Sequence, residues 1–530
     1  MSANKIPLFK DWVPHWLAAI TIFAILLTSL FSFALYSSNA ASAMGYYGIE
    51  PTDVQYSIVL MYAAAVAFLA LDFRIIKYIT ARKYLLAGLI ANAATYLVCF
   101  YTKNWDLFMI CRFLQGVACA LLCSIVLHLI FPRLHPSRSR VIGYTIFYFG
   151  LQMSIPLCAI YCTLVVDIVD FNWLFYGLNV VMLPVVLLVL VTMNAKARFH
   201  KRLPLYQVDW IGYVLYTLLC LDIGFVLVYG QKLNWFGHPL ISCGCIAGSL
   251  LLVTFVLREM RLKRPLINLR LFTIKHFTIG LLLLATFYIL KGTTGILYQY
   301  LENVLGVAPL HFIPIWGANI LGIGVGMFIT SRFILEGKSL LHLILSGFFL
   351  LALFYLYMLR TISTTGETTS FIFPLFAYGI STGILFVPLV VFTLSSVPPA
   401  MAFNASLLGI FSRFIGFCAS ISINNYLQLY TKSAVREKVR EFVTVINPQL
   451  SRTVNGLEKA YAYAGNDALH ESAGASAHLN KLLAQQIFAR SVRDYFDYML
   501  IACVILIFLL FLLPCMTNVV LSFRRGSTPV

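Results

Sequence analysis

Apolar runs long enough to cross a bilayer recur from one end of this chain to the other, and that repetition limits what it can fold into. A hydrocarbon core about 30 Å thick needs roughly 20 residues of helix to cross it. Inside that core every backbone polar group must be bonded within the protein, which favours helices. The runs fall near 16–38, 54–71, 83–101, 105–131, 140–163, 172–193, 209–229, 239–257, 274–297, 311–331, 340–360, 370–393, 402–428 and 497–520. Only 11% of residues are charged and 61% are hydrophobic, against roughly a quarter charged in soluble domains. The chain reads as an all-α polytopic membrane protein with the lipid bilayer as its main partner. Its net charge of +18 is spread between the apolar runs rather than gathered in one patch. That distribution argues against a nucleic-acid partner.

Lysines and arginines set the orientation. Lys5, Lys10, Arg74, Lys77, Arg82, Lys83, Arg133, Arg138 and Arg140 gather on one side, with Lys196 to Arg202, Arg258 to Lys275, Arg332, Lys338, Arg524 and Arg525. The opposite short loops hold only Lys103, Lys232 and Arg360. Both termini are therefore expected in the cytoplasm. No cleavable signal pattern precedes the first run. One connection, 430–496, is too long for a turn, and its apolar spacing predicts a small helical subdomain on the outer side. Its middle, 455–476, is equally compatible with a solvated loop.

Several chemistries are disfavoured. The twelve cysteines lie in apolar segments and the ten histidines are scattered, which fits neither a disulfide framework nor a metal centre. Gly322, Gly324 and Gly326 form G-x-G-x-G inside an apolar helix with no strand before it, so helix packing explains them better than nucleotide binding. There is no Walker-type loop. No enzyme activity, metal or cofactor is expected.

Charged residues inside the runs are the candidates for function, because burying them is costly. Arg112 interrupts NWDLFMICRFLQGVACALLCSIVLHLIF and shares a small, polar helical face with Gln115, Gly116, Cys119 and Cys123. Such a face lets a neighbouring helix come close. A purely structural arginine is the plain alternative. Asp222 is the acid deep within an expected span, suited either to carrying a proton or to a structural hydrogen bond. Lys291 interrupts LLLLATFYILKGTTGILYQY just before Gly292. It would attract an anionic or zwitterionic ligand, or snorkel to the interface. Tyr298, Gln299 and Trp316 are possible lining for the same site, or interfacial anchors.

The order of these features resembles the major facilitator superfamily, in its fourteen-helix drug:proton antiporter branch (EmrB/QacA-type). RFLQG is similar to the family's R-x-x-Q-G. VDWIGYVLYTLLCLDIGFVLVYGQ resembles the start of two extra central helices, RPLINLRLFTIKHFTIG the start of the second half, and SRFIGFCASISINNYL the late C-terminal pattern. Arg82, Lys83, Asn39 and Pro156 match family positions. Lys77 or Tyr78, Ala34, Cys158 and Ala159 stand where an acid, an aspartate and glycines are usual.

The resemblance implies a major facilitator fold. An N-terminal six-helix bundle would span 1–200, two central helices 201–263 and a C-terminal six-helix bundle 264–530. It implies proton-coupled export of lipophilic or amphipathic compounds across a bacterial inner membrane, in relatives working with a periplasmic adaptor and an outer-membrane channel. Arg112, Gln115, Gly116 and Asp222 are expected in proton coupling, and Lys291, Tyr298, Gln299, Trp316 and Asn39 at the substrate. Arg82, Lys83, Pro156, Arg413 and Gly416 are expected to gate or to pack. A dedicated exporter of one metabolite or lipid, or a transport-inactive scaffold or sensor, are the competing readings.

Overall fold

The computed structural model of the 530-residue chain describes residues 7–35, 40–135, 138–197, 209–262, 264–398, 401–444, 447–463 and 468–512. The first half comprises α1 (His15–Ala34), α2 (Ala40–Tyr47), α3 (Pro51–Tyr78), α4 (Ala81–Tyr101), α5 (Trp105–Ile130), α6 (Ser139–Ile168) and α7 (Trp173–Thr192). The central pair is α8 (Trp210–Tyr229) and α9 (Pro239–Arg261). The second half comprises α10 (Lys275–Lys291), α11 (Thr294–Asn303), α12 (Phe312–Leu335), α13 (Leu340–Thr361), α14 (Ile372–Ser395), α15 (Ala402–Phe442), α16 (Pro448–Tyr463) and α17 (Ala468–Leu512). Among the described residues, 14 helical spans are long and apolar enough to cross a membrane.

Short-range chemistry starts several of these helices. Asn104 accepts the Asp106 and Leu107 N–H groups ahead of α5, and the Asp209 carboxylate accepts the Gly212 N–H ahead of α8. Both satisfy donors that a helix start leaves over. Pro51 opens α3, where a missing N–H costs nothing.

The spans assemble into two six-helix bundles with a central pair. α1 and α3 to α7 pack together, as do α10 to α15 with α17. The halves meet where α6 packs on α12 and α14, and where α3 packs on α15. α8 lies against both α3 and α15, and α9 lies outside it. Burial agrees: 83% of the apolar window of the α14 span is buried, against 11% for α9. So α14 sits at the centre and α9 faces the membrane. Arg258 on α9 pairs with Asp209 at 2.7 Å, and the Tyr229 hydroxyl donates to Asp53 at 2.6 Å.

Between apolar helices in lipid, close backbone approach replaces the hydrophobic drive. Gly322 and Gly326 of α12 face Gly379 and Gly383 of α14, and a Cβ at any of the four would collide with the opposing backbone. Gly324, between them in sequence, points elsewhere and would meet only the Phe149 ring at 3.5 Å. The G-x-G-x-G run is thus a packing seam. Gly116 seats α5 on Met61 of α3, and Gly416 seats α15 on Ala285 of α10.

Three features differ from the sequence reading. The ninth span is not one helix, because α10 ends at Lys291 and α11 begins at Thr294. The 430–496 segment is mostly the continuation of α15 and α17 beyond the bilayer, with α16 packed on α17. Helix therefore reaches into 455–463. Asp72, placed just past an expected span, lies inside α3 and is only 4% exposed.

The glycine seam makes a comparative prediction. Gly326→Ala should lower thermal stability by several degrees in purified protein, while Gly324→Ala should leave it within experimental error. Equal melting temperatures for the two variants would refute the seam.

Candidate functional site

Arg112 is completely buried. Its Nη1 donates to the Ser32 carbonyl of α1 at 2.6 Å and to Gln115 Oε1 at 3.0 Å, and its Nε donates to the Ser57 carbonyl of α3 at 3.3 Å. Ser32 lies in the last turn of α1, where the helix dipole is negative. The guanidinium is therefore held by backbone oxygens. Gln115 extends the link to α4 through Cys99 at 3.8 Å. Four helices are joined at one side chain and its neighbour.

A second pair of cations, Arg413 buried and Lys291 partly exposed, lies between the halves. Lys291 donates to Gln152 Oε1 of α6, and its ammonium lies 5.3 Å from the Tyr288 ring centre and 5.8 Å from that of Phe386. Arg413 of α15, 6% exposed, donates to its own helix at Gly409 (3.1 Å) and to the Tyr148 hydroxyl of α6 (3.5 Å). Its guanidinium is 5.9 Å from the same Phe386 ring. Neither cation makes an ion pair with a carboxylate among the described residues.

Aromatic side chains continue the site. Tyr62 of α3 meets Phe33 of α1 at 5.3 Å, and Phe414 and Phe417 of α15 at 5.4 and 5.7 Å. Phe33, Tyr62, Tyr288, Lys291 and Phe417 are each partly exposed although drawn from both halves. They line a cleft rather than a core.

The helix break at Lys291 forms one wall of this cleft. Interrupting a membrane helix frees carbonyls that must be bonded again. Tyr355 donates to Leu290 O at 2.6 Å, Tyr378 to Lys291 O at 2.7 Å and Asn424 to Gly292 O at 2.8 Å. Tyr495 in turn donates to the Asn424 side-chain Oδ1 at 2.8 Å. Farther along α3 and α15, the Gln55 and Asn425 amides exchange bonds of 3.2 and 2.8 Å across the two halves.

Comparison with known proteins now fixes the family. Residues 21–421 match the model described as the Major Facilitator Superfamily. The chain belongs to that superfamily of membrane transporters. It is 24% identical over 388 residues to the multidrug export protein EmrB of Escherichia coli K12, covering 71% of this chain and 73% of the relative. It is 23% identical over 424 residues to EmrY of the same organism, named a probable multidrug resistance protein, covering 77% and 78%. In fold it is similar to a POT family transporter solved in complex with a thioalcohol-conjugated peptide. The TM-score is 0.58 at 16% identity, over 97% of this chain and 99% of that one. This member of the superfamily is thus a multi-pass membrane transporter for a small-molecule substrate, not an enzyme.

The remaining expected residues separate. Asp222 is not among Arg112's contacts. Its carboxylate lies over Gly244 and Gly248 of α9, in a shallow pocket of about 340 Å³ lined also by Tyr56, Leu218, Phe225 and Leu251. Tyr298 stacks on Phe312 at 4.5 Å and on Trp316 at 6.4 Å, whereas Gln299 lies beside Gln428 at 3.4 Å. The three do not form one surface. Arg82 and Lys83 begin α4. Pro156 lies inside α6, where its missing N–H leaves the Gln152 carbonyl without the usual helical bond. Asn39 lies outside the described residues.

The sequence reading missed Asp72, Tyr148, Gln152, Tyr288 and Phe386. Asp72 faces Ser124 of α5 and leaves Oδ1 without a partner in the described structure. On α6 the spacing of Tyr144, Tyr148, Gln152 and Pro156 by fours was the available signal for one helical face.

Removing one bond at the helix break should be measurable. Tyr378→Phe leaves the buried Lys291 carbonyl without its donor, at a cost of about 1–3 kcal/mol. The exposed Tyr357→Phe should cost nothing. Denaturation of both variants in the same detergent checks the difference.

Proposed function

We propose that this protein exports amphipathic compounds across a bacterial inner membrane, driven by proton entry, with both termini in the cytoplasm. The observation that carries the reading is the cleft between the halves. It is walled by α1, α3, α6, α10, α14 and α15, and it holds buried charge at a break in α10. Sites near the midplane beside discontinuous helices are where alternating access acts. Kinship to proteins named for multidrug export supports outward transport of apolar cargo. Lysine and arginine distribution supports the orientation.

In this reading the halves rock about the cleft, and the Gln55–Asn425 amide pair parts to release cargo on the side away from the termini. Arg112 keeps α1, α3 and α5 moving as one body, with Gln115 extending that body to α4 and Gly116 allowing the close contact. The proton rides on a membrane carboxyl: Asp222 lies well inside its span, and Asp72 is buried at the end of its own. Lys291 and Arg413 meet the substrate. The helical extension formed by α15, α16 and α17 is where a periplasmic adaptor, itself joined to an outer-membrane channel, would dock.

Everted vesicles test this. Addition of a lipophilic substrate to acidified vesicles should release protons with wild-type protein. Arg112→Ala should abolish release, and either Asp222→Asn or Asp72→Asn should reduce it at least tenfold at equal protein in the membrane. Wild-type release unchanged in both aspartate variants would remove carboxyl coupling. No release with any substrate would overturn proton-driven export.

A further inference from the structure

The cleft has a chemical bias that its own side chains set. Lys291 and Arg413 stack against one ring, Phe386, from two different helices, and the partners given for each are neutral. Two cations held this close repel one another in a poorly screened interior. Cation–π contact with Tyr148, Tyr288 and Phe386 offsets only about 0.5–2 kcal/mol each. An added negative charge is what the site lacks.

A second observation points the same way. Gln152 is 3% exposed. Because the Lys291 ammonium can only donate, it fixes the Gln152 oxygen toward itself. The Gln152 Nε2 is left buried without an acceptor in the described structure. A buried donor in that condition costs free energy that a ligand oxygen recovers. Polar groups facing the cleft centre are therefore donors or hydroxyls, while Phe33, Tyr62 and Phe417 supply an apolar wall beside them.

We propose that this cleft binds an amphiphile through an anionic head of the carboxylate class, seated between Lys291 and Arg413 and beside Gln152, with its apolar tail along Phe33, Tyr62 and Phe417. The proposal rests on the cleft being the substrate site and names the class of substrate. It separates this chain from a carrier of lipophilic cations, because a cation placed here meets two like charges and, among the described residues, no paired carboxylate.

Equilibrium binding tests it independently of transport. Radiolabelled decanoate is bound to the full-length protein in lipid nanodiscs, with empty nanodiscs subtracted. Decyltrimethylammonium and uncharged decyl glucoside serve as competitors of equal chain length. Decanoate should bind saturably, and each competitor should be at least tenfold weaker than unlabelled decanoate. Lys291→Gln should weaken decanoate roughly tenfold to a hundredfold, the range for a hydrogen bond to a charged group, and Lys291→Arg should restore most of it. Should Lys291→Gln fail to fold, Arg413→Gln carries the same comparison. Absence of saturable decanoate binding, equal or better competition by decyltrimethylammonium, or undiminished binding in a folded Lys291→Gln protein would each overturn the proposal. Decanoate binding without export of any compound would overturn the export reading and leave this one standing. Export without anion-selective binding would do the reverse.

Discussion

A positive charge inside a bilayer-spanning bundle must find oxygen, and much of this structure follows from where each one finds it. Arg112 finds backbone carbonyls. The Ser32 carbonyl lies at the negative end of α1, so the contact gives a buried cation the oxygen partner it needs. The Ser57 carbonyl of α3 and the Gln115 side-chain oxygen are its other acceptors. Gly116 brings α3 close enough for this to happen. Removing the glycine or the arginine would undo the same junction.

The break at Lys291 obeys the same rule with the signs exchanged. There the carbonyls are in excess, and the protein answers with side-chain donors from α13, α14 and α15, namely Tyr355, Tyr378 and Asn424. These donors fix an interruption that lipid alone would not tolerate. The second half is thereby built around a fixed turn of chain at the depth of the cleft. The α12–α14 glycine seam holds that turn against the protein centre. Packing and polar satisfaction are therefore parts of one arrangement in this half.

How much of this was legible before the structure depends on whether the signal is local. Span positions follow from hydropathy averaged over consecutive residues, and they agree closely with the helices. Arg112 stood out because a lone charge in an apolar run is visible in one dimension. Asp72 did not, since the expected span closed at residue 71 and the acid was assigned to the loop. Hydropathy is also blind to a break that keeps its apolar flanks, so α10 and α11 read as one helix. The cleft was least legible. Tyr148 and Gln152 on α6 meet Arg413 and Lys291 only through the packing of two halves, and aromatic residues are too common in membrane helices to mark a site alone. Of Tyr298, Gln299 and Trp316, the first and last stack together while Gln299 lies beside Gln428, a separation that nearness in sequence to Lys291 does not show.

The contrast between the two arginines bears on what each can do. Arg112 has acceptors from three elements and no exposure, so it is closed off from the cleft. Arg413 donates to its own helix and makes one long contact of 3.5 Å to a neutral hydroxyl. Lys291 beside it has a single amide partner and partial exposure. Charge-assisted bonds to an anion are roughly twice as strong as bonds to neutral groups. An incoming anion therefore improves that pair's situation. On the binding proposal, burial and the number of protein acceptors, rather than charge alone, separate Arg112 from Lys291 and Arg413.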